Sequence, residues 1–133
     1  MDQNRQSDSS SPFSGLAYED THEVIEQEVR SFGKEAGTGV RPADLSGTGF
    51  TYRHDWGDRN HGQRLTLNWG AITANSRVFV SIGEGAPGGG KFLGSAKYTL
   101  FNVAPANGSV GIWLDIDWNS PIRLSVDYLV INP

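Results

Sequence analysis

The sequence predicts an all-β fold, an antiparallel sandwich or small barrel of six to seven strands. Three observations predict it. First, Ser109 to Pro133 holds two runs of strict alternation on either side of Asn119-Ser120-Pro121. Ile112, Leu114, Ile116 and Trp118 share one face of the first run. Ile122, Leu124, Val126, Tyr128 and Val130 share one face of the second. Period-2 alternation of β-branched and aromatic residues is the mark of a half-buried strand, and Asn-Ser-Pro is a turn. Second, 17 glycines punctuate the chain between apolar runs, as tight turns require. Third, only one short stretch carries a helical period. The 133 residues suffice for one domain with one core.

Taken in order, residues 1–19 are polar and predict a disordered tail. Residues 20–33 predict a short α-helix. Asp20 and Glu23 stand at capping-box spacing, and Ile25, Val29 and Phe32 follow at i, i+4, i+7. Gly33 supplies a stop. So short a helix needs a surface to pack on. Residues 34–49, with their glycines and Pro42, predict a linker or irregular edge. Residues 50–133 form the β-module. Its first strand, from Thr48 to Trp56, places Phe50, Tyr52, His54 and Trp56 together, opposite Thr51, Arg53 and Asp55. Arg64 to Trp69 and Arg77 to Ile82 alternate again. Phe92 to Val103 is one long strand or two split near Gly94-Ser95. Asn107-Gly108 signals a hairpin into the last two strands. Phe79, Trp113 and Leu129 add apolar residues to the second face of their strands, which a homo-oligomer contact or a packed helix would explain.

The charge distribution narrows the partners. Residues 1–46 carry 9 acids and 4 bases, and residues 47–133 carry 6 acids and 7 bases. The β-module is near neutral and has no basic stripe, which argues against nucleic acid. No run reaches the ~18 apolar residues of a membrane span. Cysteine is absent, so no disulfide, thiolate metal site or thiol nucleophile exists. The N-terminal residues do not read as a signal peptide, so a cytoplasmic protein is the default expectation, with export by a non-standard route the alternative.

Two polar constellations are candidate sites. Arg53, Asp55, Trp56, Asp58 and Asn60 lie where a strand runs into a loop. Trp113, Asp115, Asp117 and Asn119 share one face of a later strand. An aromatic face for stacking, carboxylates and amides for hydroxyls, and a guanidinium fork are the parts of a sugar site. Asp115 and Asp117 sit about 6.6 Å apart at ~3.3 Å per residue, a spacing that also suits a glycosidase pair or a solvated face. They are the candidate metal ligands, for calcium; His54, Asp55, Asp58 and His61 are metal-binding types too, but they lack a ligand spacing and their facing is opposed, and no other cofactor is indicated. Gly85 to Lys91 fits G-x-x-x-x-G-K. Phe92 stands where a P-loop needs Ser or Thr, and the flank reads as strand, so a glycine-rich hairpin loop is the better reading.

The expected function is therefore a non-enzymatic ligand-binding module, with carbohydrate the first ligand and a lectin-like site. A self-associating protein-interaction module is the alternative. A membrane-active sandwich and a glycoside-acting enzyme rank behind both.

Overall fold

The computed structural model describes residues 17–33 and 47–133. The expectations for residues 1–16 and 34–46 lie outside these. Among the described residues nine strands form two sheets. They are β1 (Tyr18–Glu23), β2 (Arg30–Gly33), β3 (Thr48–Arg59), β4 (His61–Asn68), β5 (Arg77–Gly85), β6 (Lys91–Phe92), β7 (Lys97–Ala106), β8 (Ser109–Asp117) and β9 (Ile122–Asn132). One sheet has the order β1-β4-β8-β7 and the other β2-β3-β9-β5-β6. Every pair is antiparallel except β1–β4. The all-β class is as expected, and the module from residue 48 onward holds seven strands, β3 to β9, as expected, with β1 and β2 added from the segment before it.

The expected helix over 20–33 is not formed. Its residues make two short strands joined by a single 3-10 turn, Glu26–Glu28. β1 adds to the edge of one sheet and β2 to the edge of the other, so this segment bridges the sheets. The capping-box acids serve other partners. Asp20 accepts from Arg59 at 2.5 Å, and Glu23 accepts from Asn68 at 2.7 Å. Two open sheet edges offer this segment ladder hydrogen bonds, and an isolated three-turn helix is marginal against that.

The core lies between the sheets, built from the alternating faces that the sequence predicts. Leu65 and Leu67 of β4 and Val110, Ile112, Leu114 and Ile116 of β8 face Tyr52 and Trp56 of β3 and Leu124, Val126, Tyr128 and Val130 of β9. Trp69, just past β4, stacks edge-on against Tyr52 at 5.6 Å and Tyr128 at 6.4 Å. The loop after it is fixed by backbone bonds with the β7–β8 hairpin, Trp69 N–H to Gly108 O and Gly108 N–H to Ile72 O, both 2.8 Å. Gly108 takes φ +88°, which the Asn107-Gly108 turn needs.

One irregularity sets the side-chain facing. The β3–β9 register shifts between Asp55 and Gly57. Gly57 sits at φ +79°, and its N–H is held by the Asp55 carboxylate at 2.9 Å. Such a bulge exchanges the two faces beyond it. Arg59 consequently turns into the seam between the sheets and is only 9% exposed.

Leu114 is fully buried at the centre of β8. Leu114→Ala is expected to lower unfolding free energy by about 3 kcal/mol in urea titration, with an unchanged m-value.

Candidate functional site

The outer face of the five-stranded sheet is built from residues of β3, β9 and β5 in direct register. Thr51, Leu129 and Phe79 form one row; Arg53, Asp127 and Ser81 form the next. Polar residues point outward here because their apolar sequence neighbours fill the core. Arg53 binds Asp127 through two parallel bonds, Nε to Oδ1 at 2.6 Å and Nη2 to Oδ2 at 2.9 Å. Lys91 closes on the same carboxylate at 3.1 Å and on Ser81 O at 2.9 Å. Donation from Arg53, then from Lys91, holds the Asp127 carboxyl below its usual range.

The glycine-rich loop overhangs this triad. Gly88 and Gly89 take φ +87° and +99°, and Ala86 N–H bonds Gly90 O at 2.7 Å. Arg53 Nη1 donates to Gly89 O at 3.2 Å, tying loop to sheet. No helix follows Lys91. The loop is a β5–β6 hairpin connection, not a phosphate cradle.

Two neighbouring grooves result. One, of about 600 Å³, runs over Phe79, Leu129, Thr51 and Arg53 and is walled by Glu28 and Arg30. The other, of about 270 Å³, lies between the glycine-rich loop and the 3-10 segment and includes Arg53, Asp55, Arg123 and Ile25. Phe79 presents 59% of its surface to solvent. The cations Arg53, Lys91, Arg30 and Arg123 stand among the anions Asp127, Asp55 and Glu28, so the surface is close to neutral.

The first predicted constellation is divided. Arg53 and Asp55 reach the grooves. Trp56 is 1% exposed and donates its indole N–H to Tyr128 Oη at 3.1 Å, so it presents no stacking face. Asp58 and Asn60 lie beyond the bulge, in a separate surface hollow with Tyr18 and Pro121. The second constellation sits on the outer face of the other sheet, across the core from Arg53. Trp113 is already stacked, beneath the Arg64 guanidinium at 4.4 Å and beside Phe101 at 4.8 Å. Asp115 is 3% exposed, whereas Asp117 and Asn119 are exposed. Asp115 Oδ1 has no hydrogen-bond partner, and burial raises its carboxyl above the ordinary value. Among the described residues no three His, Asp or Glu side chains converge as a metal site needs, and no helix is long and apolar enough to cross a membrane.

Sequence reasoning missed a buried polar chain beside the second groove. His22 of β1 stacks on Trp56 at 4.3 Å. Its Nδ1 meets His54 Nε2 at 2.8 Å, and its Nε2 lies 3.3 Å from Asp20 Oδ2. His54 Nδ1 meets Tyr52 Oη at 2.7 Å, and Tyr52 Oη accepts the Ile25 N–H at 3.1 Å. Arg59 continues the chain through Asp20, Gln63 Oε1 at 3.2 Å and Trp56 O at 2.8 Å. Two histidines 32 residues apart show no spacing signal. Only the alternation of Asp20, His22 and Val24 hints that β1 is a strand. Burial, then the neighbouring His22, lowers the His54 pKa to about 4.

That shift fixes a pH dependence. An unfolded histidine titrates near ~6.5, so between that pH and about 4 the unfolded chain binds a proton that folded His54 refuses. Stability from this group is complete above pH ~6.5, is lost as pH falls to about 4, and levels off below. Asp20, held below its usual range by Arg59, adds a loss of the same sign at lower pH, and Asp115 opposes it. Urea unfolding at pH 7.5 and 4.5 is expected to differ by on the order of 2 kcal/mol, discounted for solvent near His22. Equal stabilities would contradict the assignment.

Comparison with known proteins gave no match: no family model, no curated protein and no solved structure matches the chain.

Proposed function

We propose that the chain is a non-enzymatic binding module whose site is the grooved outer face of the five-stranded sheet, and that its ligand is a carbohydrate. The observation that carries this is the exposed Phe79 ring beside a charge triad already fixed by its own bonds. An apolar ring face packs on Phe79 and Leu129. Hydroxyls meet Arg53, Asp127, Ser81 and Thr51, which offer both donors and acceptors. Pairing of Arg53 and Lys91 with Asp127, and of Arg123 with Asp55, favours a neutral polyhydroxylated ligand over an anion. Side chains held before binding lose little further entropy on binding. Of the residues singled out in the sequence, Arg53 and Asp55 stay in this site. The tryptophans take no part.

The test is ligand-observed saturation-transfer NMR across a panel of mono- and oligosaccharides, followed by calorimetry on any hit. A saturable hit is expected to weaken at least about tenfold in Phe79→Ala, which is ~1.4 kcal/mol, and similarly in Arg53→Met. A flat response across the panel, from a folded protein, sinks the carbohydrate reading.

A second observation favours self-association as the rival. Leu93 is fully exposed, and Phe92 is 50% exposed beside it, at the β6 edge of the same sheet. Exposed apolar groups at a sheet edge are a pairing surface. On this reading light scattering after size exclusion finds a dimer or larger assembly, and Leu93→Asp returns it to monomer. A monomer at ~100 μM, well above a micromolar dissociation constant, removes the rival.

A further inference from the structure

The polar chain running from β1 into the core has a direction. The Asp20 carboxylate lies 3.3 Å from His22 Nε2, and its charge favours the His22 proton on that nitrogen. His22 Nδ1 is then the acceptor for His54 Nε2–H. His54 Nδ1 accepts from Tyr52 O–H, whose oxygen in turn accepts Ile25 N–H. Each ring nitrogen has one partner and one role, and both imidazoles are neutral. The chain starts on an edge strand and ends on the backbone just before the 3-10 turn, so it fastens both ends of that segment to β3.

Acid acts on this arrangement in two stages. A proton on His22 reverses the chain: His22 Nδ1–H donates to His54 Nε2, and His54 Nδ1–H donates to Tyr52 O. Tyr52 O–H then loses its acceptor in a buried setting, at a cost. A second proton cannot be absorbed. It leaves two N–H groups facing each other and two cations stacked in the seam.

The surrounding charges decide which bonds give way. From β1, Asp20 favours a cation on His22. From β3, Asp55 favours one on His54, whereas Arg59 opposes it. Glu26 and Glu28 of the 3-10 turn face Tyr52. β4 contributes the neutral Gln63, held by Arg59, and β9 the neutral Tyr128. Protonating Asp20 also removes the tie to Arg59. Each of these acid-driven changes loosens β1 while leaving the β3–β9 ladder intact.

We propose that the Asp20–His22–His54–Tyr52 chain is an acid-released latch, which holds β1 and the 3-10 turn on the body at neutral pH and frees them when both imidazoles are protonated. Release opens the β4 edge and uncovers the Trp56 ring that His22 stacks upon. It also moves Ile25 and Glu28, which wall the grooves. Control of the grooves rests on the binding reading given above. Release of the strand does not.

Hydrogen exchange by NMR on the full chain reads the strand alone. The Val24 amide, bonded to Asn68 O at 2.9 Å, reports on β1. The Val126 amide, in the central strand β9, reports on the body. Between pH 7.5 and 4.5 the Val24 protection factor is expected to fall at least about tenfold, through an opening that depends little on urea, whereas Val126 exchanges through urea-dependent global unfolding and follows the global stability. His22→Phe keeps a ring on Trp56 but carries no proton, and its Val24 protection should then fall less steeply with acid than in the unaltered protein. Should that variant not fold, imidazole 15N shifts in the unaltered protein serve instead. Both histidines are expected as Nε2–H tautomers at pH 7.5. The proposal is overturned if Val24 and Val126 exchange with the same protection and the same urea dependence at pH 4.5, if Val24 keeps its protection at pH 4.5, or if either ring is the Nδ1–H tautomer at pH 7.5.

Discussion

The sandwich is closed by aromatic rings that bring polar atoms with them. Tyr52, Trp56, Trp69 and Tyr128 fill the seam between the sheets, and each full ring removes far more apolar surface from water than an aliphatic residue. A buried hydroxyl or indole N–H without a partner costs much of that gain. Trp56 therefore donates to Tyr128, and Tyr52 engages His54. His54 in turn needs a partner for its other nitrogen, which β1 supplies through His22. The position of the edge strand thus follows from the hydrogen-bonding needs of the core.

The same constraint explains what the sequence made legible. Alternation along β3, β4, β8 and β9 marks which side chains face in, because core burial and the pleat share one period. The hairpin at Asn107-Gly108 and the break near Gly94-Ser95 are local turn chemistry and were readable. Residues 18–33 were not. Ile25, Val29 and Phe32 have helical spacing, and the edges that claim the segment belong to β3 and β4, whose paired residues lie 15 to 45 positions further along the chain. The bulge at Asp55/Gly57 was equally hidden. Without it Arg59 would have faced the solvent with Arg53 and Asp55, and the link to Asp20 would not exist.

The candidate site was legible only in part. Arg53 and Asp55 were identified from composition at a strand end. Phe79, Asp127 and Lys91 come from three strands whose register only tertiary structure sets, so no linear pattern joins them. The tryptophans misdirect for a physical reason. Large rings at inward positions of central strands are consumed by the core, and Trp113, which does face out, already has Arg64 and Phe101 against it. A phenylalanine on the outer face is less conspicuous in sequence but is the ring left accessible.

Among the described residues, β7 borders the four-stranded sheet with one side of its backbone outside any ladder. A ten-residue strand of this kind is a template on which newly made chains add to one another and precipitate. Three features blunt it. The register shift between Leu100 and Asn102 kinks the strand, Pro105 lacks a donor, and Lys97 places a charge at its start. The irregular backbone of β7 thus keeps concentrated chains from assembling edge to edge, so its value lies in solubility more than in the stability of the single molecule.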